Sequence, residues 1–236
     1  MEKIVSGVQR FRTVEFHKHR KFYEQMASRQ QNPIALFITC SDSRVMPHLI
    51  TQTDPGDLFQ IRNAGNIVPP YSAAGGGEGA TIEYSLEVLG VEHIIICGHS
   101  QCGAIKAMVD GGNLDNLPAA KAWFSHAEAT KRIVKQKYAD LSPDELAVAA
   151  TEENVLVQLN HLSTHPSVAA RLSAGLVKTY GWYYDIGRGR VLEYDQSQMK
   201  FVDLGEDVRA ASPMPIRSSE EKKVDAGFLM TAKEEA

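Results

Sequence analysis

Two short, unbroken apolar runs constrain the fold more than any other feature of this sequence. They are Ile34–Ile38 and Ile94–Cys97, and neither alternates apolar with polar residues. A strand that is covered on both faces has this pattern, which is typical of a buried parallel sheet. Leu58–Ile61 predicts another strand, and Glu78–Leu89 and Cys102–Val109 have helical spacing. This alternation of strands and helices predicts an α/β fold with a mainly parallel central sheet flanked by helices.

The rest of the chain divides into an arm, a continuation of the α/β domain and a tail. Residues 1–30 have apolar residues at helical spacing and an excess of basic side chains, so we expect a long N-terminal helical arm. Residues 31–205 form the predicted α/β domain, in which a capping box at Ser142 opens a helix that we expect to end near Pro166. Two last strands or a hairpin follow at Leu176–Leu192. We expect residues 206–236 to be a partly disordered tail.

Composition excludes several classes of protein. The 236 residues contain 25 Lys and Arg against 29 Asp and Glu, a net charge of −4, which argues against a general nucleic-acid binder. The longest apolar runs fall far short of the ~20 residues that span a bilayer. Three cysteines, an odd number in a chain of this length, fit a reducing compartment. We therefore expect a cytoplasmic protein that binds neither nucleic acid nor membrane.

Potential metal ligands directly follow two of the predicted strands. Cys40 follows the first run, and His99 and Cys102 follow the run that ends at Cys97. Ligands gather beyond the carboxyl ends of parallel strands, so these side chains can meet there. Two thiolates and one imidazole suit tetrahedral Zn²⁺, and three protein ligands leave a position for water. The alternative is a set of buried core thiols and a hydrogen-bonded histidine, and for Cys97 we favour that reading.

Asp42 and Arg44 lie two and four residues beyond Cys40. An aspartate paired with arginine stays ionised and only accepts hydrogen bonds, so it could orient a metal-bound hydroxide toward a substrate. The alternative is an ordinary structural ion pair.

The combination of these motifs resembles the β-class carbonic anhydrases. The motifs are Cys40-x-Asp42-x-Arg44, Arg62–Asn66, His99-x-x-Cys102 and Gly181–Ile186. The resemblance implies one Zn²⁺ per subunit, held by Cys40, His99 and Cys102, with Asp42 and Arg44 as the catalytic dyad. The implied reaction is the reversible hydration of CO₂ to bicarbonate and a proton, through attack of zinc-bound hydroxide on CO₂.

The resemblance also assigns a subgroup and an assembly. Gln31, Phe59 and Tyr84 match the substrate-pocket residues of the plant-like group, whose zinc is open to water. The other group closes its zinc with the aspartate and binds bicarbonate beneath a tryptophan, at a position occupied here by Phe37. The family pocket lies at a dimer interface, so we expect a homodimer or an assembly of dimers. The tail and overall similarity most resemble the cyanobacterial carboxysomal members, which implies a carboxysome protein as partner of the C-terminal region.

Three other functions remain open. The same site could hydrolyse another small molecule such as carbon disulfide. The zinc could be structural, in a scaffold or binding module, although such a zinc needs a fourth protein ligand. The chain could also be a thiol redox enzyme that uses Cys40 or Cys102. A second histidine pair, His161 and His165, lacks the glutamate of a metalloprotease motif, and we expect it on a solvated helix face.

Overall fold

The computed structural model of the chain describes residues 1–72, 76–112 and 114–205. The helices are α1 (Glu2–Arg10), α2 (Phe16–Lys18), α3 (Arg20–Ala27), α4 (Pro47–Thr51), α5 (Gly77–Glu87), α6 (Gly103–Val109), α7 (Pro118–Phe124), α8 (Glu128–Lys137), α9 (Pro143–Leu162) and α10 (Pro166–Ser173), with a π-helical turn at Phe11–Glu15 and a 3₁₀ turn at Ser125–Ala127. The strands are β1 (Ala35–Cys40), β2 (Leu58–Asn63), β3 (His93–His99), β4 (Lys178–Asp185), β5 (Arg190–Asp195) and β6 (Lys200–Asp203). The predicted tail, residues 206–236, lies outside the described residues.

The strands form a single sheet in the order β2-β1-β3-β4-β5-β6. Strands β1 to β4 are parallel to one another, whereas β5 and β6 are added in antiparallel hairpins. The predicted α/β class with a mainly parallel sheet is therefore confirmed. Strand β6 and the short helix α4 were not predicted.

Helix α9 packs closely across β3 and β4 because two glycines give it room. A Cβ at Gly98 would lie 2.8 Å from Thr151 Cγ2, and one at Gly181 would lie 2.9 Å from Leu159 Cδ1. The main core cluster joins α9 to the strands, with Val155 and Leu162 packed among buried residues of β1 and β3. The same contact brings α9 beside the carboxyl end of β3, where His99 lies.

Helix α9 has the predicted capping box, with Ser142 as its N-cap and Pro143 as its first residue. It ends at Leu162, near Pro166 as expected, and Pro166 also opens a further helix that was not predicted. Proline is tolerated at the first position of a helix but unfavourable in its interior.

The N-terminal arm is helical, with a π-helical turn and a break at His19 between its segments. Its apolar side chains are exposed in the single chain, among them Ile4, Val8, Phe11 and Val14. Among the helices of the described residues, none combines the length and apolarity needed to cross a membrane.

Candidate active site

Three potential metal ligands converge at the carboxyl ends of β1 and β3. Cys40 is the last residue of β1, His99 is the last residue of the neighbouring parallel strand β3, and Cys102 immediately precedes α6. Their ligand atoms all lie within 4.8 Å of one another, and the two sulfur atoms are 3.9 Å apart. The predicted convergence of these side chains is confirmed.

The surroundings of His99 fit a bound metal ion. The ring is fully buried, and its Nδ1 lies 2.9 Å from the main-chain oxygen of Ser100. Because a carbonyl oxygen only accepts, Nδ1 carries the proton and Nε2 is the atom with a free lone pair. Nε2 is buried without a hydrogen-bond partner in the described part of the chain. An unpaired buried nitrogen is unfavourable unless a cation binds it.

The sulfur atoms also fit zinc. Tetrahedral geometry with Zn–S bonds of about 2.3 Å places two sulfur ligands about 3.8 Å apart, close to the separation of Cys40 and Cys102. A hydrogen bond from Cys102 lowers the pKa of Cys40, and the same hydrogen bond and burial raise the pKa of Cys102. The pair alone therefore favours one thiolate, and a divalent cation between them would favour two.

The predicted dyad is a bidentate ion pair beside the metal ligands. Arg44 donates from Nε to Asp42 Oδ1 at 2.9 Å and from Nη2 to Oδ2 at 2.8 Å. Arg44 Nη2 also donates to the main-chain oxygen of Gln101 at 3.2 Å. The hydrogen bonds from Arg44 hold the pKa of Asp42 well below its usual range. Asp42 is thus an ionised acceptor whose Oδ2 lies 3.9 Å from His99 Nε2.

Arg62 holds the loop that carries Asp42. Its Nη2 donates to the main-chain oxygens of Cys40, Asp42 and Val45, at 3.1, 2.8 and 2.9 Å, and its Nε donates to Cys40 at 3.2 Å. The guanidinium thereby fixes the turn between Cys40 and Val45.

The residues predicted to contact substrate lie apart from this chain's own metal ligands. The rings of Phe59 and Tyr84 are 6.1 Å apart, and Tyr84 is 44% exposed. Phe59 pairs with Leu36 in the β1–β2 register, four residues before Cys40, which is about 13 Å along a strand. Gln31 is exposed in the single chain.

The loop after β2 lies beside Cys40 and is held by two helices. The backbone N–H of Gly65 contributes to lowering the pKa of Cys40. Trp123 Nε1 donates to the oxygen of Ala64 at 2.9 Å, and Asn154 Nδ2 donates to the oxygen of Gly65 at 3.0 Å. The sequence analysis did not identify Trp123 or Asn154, because each lies 59 or more residues from its acceptor and no local pattern marks it.

The histidine pair His161 and His165 is not on a solvated face. His165 is 5% exposed and contacts the main-chain oxygen of Pro69 through Nε2, and His161 Nδ1 contacts the oxygen of Val68. The expectation of solvated side chains was wrong, because His161 in α9 and His165, which follows α9, both pack against the segment after the β2 loop.

Comparison with known proteins gives consistent matches. The sequence model of the carbonic anhydrase family matches residues 35–191. A carbonic anhydrase of Synechocystis sp. is 47% identical over 214 residues, which cover 90% of this chain and 78% of the relative.

Among solved structures, the β-carbonic anhydrase CcaA superimposes with a TM-score of 0.84 and 46% identity, covering 88% of this chain and 93% of that one. A structure from a study of two tetrameric β-carbonic anhydrases of Sordaria macrospora superimposes with a TM-score of 0.72 and 26% identity, covering 86% of this chain and 96% of the other.

Proposed function

The chain belongs to the β-class carbonic anhydrase family, and from this premise we propose that it catalyses the zinc-dependent reversible hydration of CO₂ to bicarbonate and a proton. The observation that carries the proposal is the unpartnered, buried Nε2 of His99, which faces two thiols and the Arg44-bound carboxylate of Asp42. Cys40, His99 and Cys102 would hold the zinc.

The dyad would orient the attacking oxygen. Zinc, when bound, lowers the pKa of a water molecule and stabilises the negative charge of the bicarbonate product. Asp42 accepts a hydrogen bond from the remaining O–H of the attacking group, which directs an oxygen lone pair toward the carbon of CO₂. Arg44 keeps Asp42 ionised and fixes the direction of the carboxylate. The proton released in the reaction leaves to buffer.

The pH dependence of CO₂ hydration tests this proposal. Two thiolates and one neutral imidazole would leave the zinc centre formally uncharged. Such a centre lowers the pKa of bound water less than a zinc with three imidazole ligands does. The rate, followed by stopped-flow with a pH indicator, should therefore rise toward alkaline pH and fall below about pH 7. Asp42 is ionised throughout this range, because its pKa is lowered, and does not shape the profile. A flat profile from about pH 6 to 9 would contradict the proposal.

We also propose that residues 31–205 form the catalytic domain and that two copies must associate to complete each site. The Sordaria relatives are described as tetrameric. The exposed apolar side chains of the arm, residues 1–30, and the distance of Phe59 from Cys40 in one chain support this assembly. Gln31, Phe59 and Tyr84 of one chain would then line the pocket of its neighbour, where Gln31 donates to substrate and Phe59 provides an apolar wall.

Mixing two inactive variants tests the shared site. Cys102→Ser removes a metal ligand, and Phe59→Ala removes the pocket wall, so each homodimer should have little activity. A mixed dimer regains one complete site, because the metal site of the Phe59→Ala chain receives Phe59 from its Cys102→Ser partner. Random mixing should restore about a quarter of the wild-type activity. No recovery in a population shown by mass analysis to contain mixed dimers would contradict the shared site.

We propose that the zinc position facing substrate stays open, as in the plant-like group. Phe37 is fully buried with its ring 5.9 Å from that of Trp182, and it has no indole N–H. Arg62 is retained, but without the indole the site at which bicarbonate would promote closure is incomplete.

Added bicarbonate should therefore cause no cooperative loss of activity. The measurement is the hydration rate near neutral pH in increasing bicarbonate, with chloride at matched ionic strength as the control. A sigmoidal loss specific to bicarbonate, or Asp42 bound to zinc near neutral pH, would contradict the open site.

We further propose that the enzyme acts in the cytoplasm, within a carboxysome, and that residues 206–236 bind a carboxysome protein. The identity with the Synechocystis anhydrase over most of the chain supports a cyanobacterial type of enzyme.

A further inference from the structure

The segment Gly181–Ile186 contains none of the three metal ligands, yet it ends beside one of them. Strand β4 runs parallel to β3, and Tyr184 pairs with His99 in the register of the two strands. The β4–β5 turn, residues 186–189, therefore follows β4 at the edge of the sheet where the ligands converge. The main-chain N–H of Ser100 donates to the oxygen of Tyr184 at 2.9 Å, which extends the pairing one residue beyond β3.

Ser100 joins the β4–β5 turn to the ring of His99. Its Oγ accepts the main-chain N–H of Ile186 at 3.0 Å. Its main-chain oxygen accepts the Nδ1–H of His99 at 2.9 Å. With its N–H bonded to Tyr184, the main chain and the side chain of Ser100 both tie this residue to the end of β4. The position of the turn therefore determines where the carbonyl that faces the imidazole lies.

The β4–β5 turn is itself fixed by an aspartate. Asp185 Oδ1 accepts the main-chain N–H groups of Gly187 at 3.0 Å and Arg188 at 3.2 Å, and Oδ2 accepts from Arg188 Nη1 at 3.1 Å. An aspartate that bonds the N–H groups two and three residues ahead of it fixes the backbone of a turn. Ile186 lies within this set of hydrogen bonds, so its N–H keeps a fixed direction toward Ser100.

The residue on the other side of Ser100 has a strained backbone and is held by the dyad. Gln101 has a φ of +56°, in the left-handed region that is unfavourable for a residue with a side chain. Its main-chain oxygen accepts from Arg44 Nη2 at 3.2 Å. The short connection from His99 to Cys102 thus has an anchor on each side, Arg44 on one and the β4–β5 turn on the other.

We propose that Ser100 and Asp185 are positioning residues that anchor the connection from His99 to Cys102 to the β4–β5 turn, and so keep the ring proton of His99 on Nδ1 and its Nε2 directed at the metal. The inference deepens the proposed function and rests on it. The hydrogen bond at one ring nitrogen sets which nitrogen binds a metal and how the ring is oriented. Ser100 acts through its carbonyl, whose position its hydroxyl secures.

Zinc affinity tests the role of the Ser100 hydroxyl. Ser100→Ala removes the hydroxyl and leaves the carbonyl, so zinc should bind about tenfold more weakly, as when other contacts that orient a ligand are lost. Ser100→Thr keeps a hydroxyl and should bind zinc as the wild type does. The matched control is Ser85→Ala, because Ser85 is fully buried and its Oγ donates to the oxygen of Ile82 at 2.7 Å within α5. Affinity is measured by competition with a chromophoric chelator, and the control should leave it unchanged.

The cobalt-loaded protein gives a second readout that does not depend on turnover. Bound Co²⁺ shifts the Nδ1–H proton resonance of its own histidine ligand far outside the ordinary range, which separates His99 from the other histidines of the eight in the chain. In the wild type this proton should exchange slowly with solvent, because it is bonded to the Ser100 oxygen. Exchange should be roughly tenfold faster in Ser100→Ala and should return to the wild-type rate in Ser100→Thr.

Two aspartate variants form a second matched pair, which decides the matter if Ser100→Ala does not fold. Asp195 Oδ1 accepts the N–H groups of Ser197 at 2.7 Å and Gln198 at 3.2 Å, the same arrangement as at Asp185. Because β5 is antiparallel to β4, the turn after Asp195 lies at the opposite edge of the sheet from the metal ligands. Asp185→Ala should weaken zinc binding and speed the exchange of the His99 proton, whereas Asp195→Ala should do neither.

Unchanged zinc affinity or unchanged proton exchange in Ser100→Ala would overturn the positioning role, and so would equal changes in Ser85→Ala. If only the aspartate pair folds, the same result in Asp185→Ala, or equal changes in Asp195→Ala, would overturn it. Either result with an active wild type rejects this inference alone. Weaker zinc binding and faster exchange in the variants, with a zinc-loaded wild type unable to hydrate CO₂, reject the proposed function alone.

Discussion

Replacing Cys102 with serine should remove bound zinc and CO₂ hydration together. A serine hydroxyl does not ionise near neutral pH, so only Cys40 and His99 would remain as strong ligands. Substitution of a residue that only orients a metal ligand lowers metal affinity or activity by roughly 10- to 100-fold. Substitution of a ligand itself should lower them by more than about 100-fold. The measurement is zinc content after dialysis, beside the stopped-flow hydration rate of the same sample.

Cys97→Ser is the matched control for this substitution. Cys97 is fully buried in β3, and its Sγ donates to the main-chain oxygen of Gly98, a bond that a hydroxyl can also make. Burial raises the pKa of Cys97 to about 12, so it stays a thiol. This variant should keep its zinc and its rate. Full zinc retention by Cys102→Ser would show that Cys102 is not a ligand.

Replacing Asp42 with asparagine should lower the turnover of CO₂ roughly 100-fold while zinc stays bound. An amide places a donor where the carboxylate only accepts, and it removes the ion pair with Arg44. The attacking oxygen would then lose its orientation although the metal ligands are intact. Arg44→Lys should show a smaller loss, because lysine keeps the charge but cannot form the bidentate pair.

Asp195→Asn is the control for the aspartate. Asp195 ends β5, two strands away from β3 in the sheet, and a hydrogen bond from Ser197 lowers its pKa to about 2. The Asp195→Asn variant also loses an aspartate whose pKa is lowered, and it should retain the wild-type rate. If Asp42→Asn were equally active, Asp42 would have no part in the reaction, and if it lost zinc, Asp42 would be a metal ligand.

The parallel part of the fold was predictable because apolar runs without alternation require cover on both faces of the sheet. Ile34–Ile38 overlaps β1 except for Ile34, and Ile94–Cys97 lies within β3, the neighbouring strand. The edge strand β6 was not predicted, since its four residues carry no comparable pattern. Helix α10 was not predicted, because the Pro166 that marks the end of one helix also occupies the first position of the next.

The convergence of Cys40, His99 and Cys102 was predictable for a topological reason. Neighbouring parallel strands end at one edge of the sheet, so residues that follow β1 and β3 must meet there. The pocket residues were predictable only through the family resemblance, because Phe59 lies far from Cys40 within one chain. The hydrogen bonds of Trp123 and Asn154 to the loop after β2 join distant segments, as does the contact of His165 with Pro69, and none of them has a local sequence signal.

The most direct test of the zinc-dependent function is a reconstitution series. Metal-free protein is loaded with increasing zinc, and the bound zinc and the stopped-flow rate of CO₂ hydration are measured on each sample. We expect a rate proportional to bound zinc that reaches its plateau at one zinc per chain. A fully loaded protein with no hydration would contradict it and favour a scaffold or another substrate such as carbon disulfide. A rate independent of zinc but abolished by thiol alkylation would favour thiol chemistry instead.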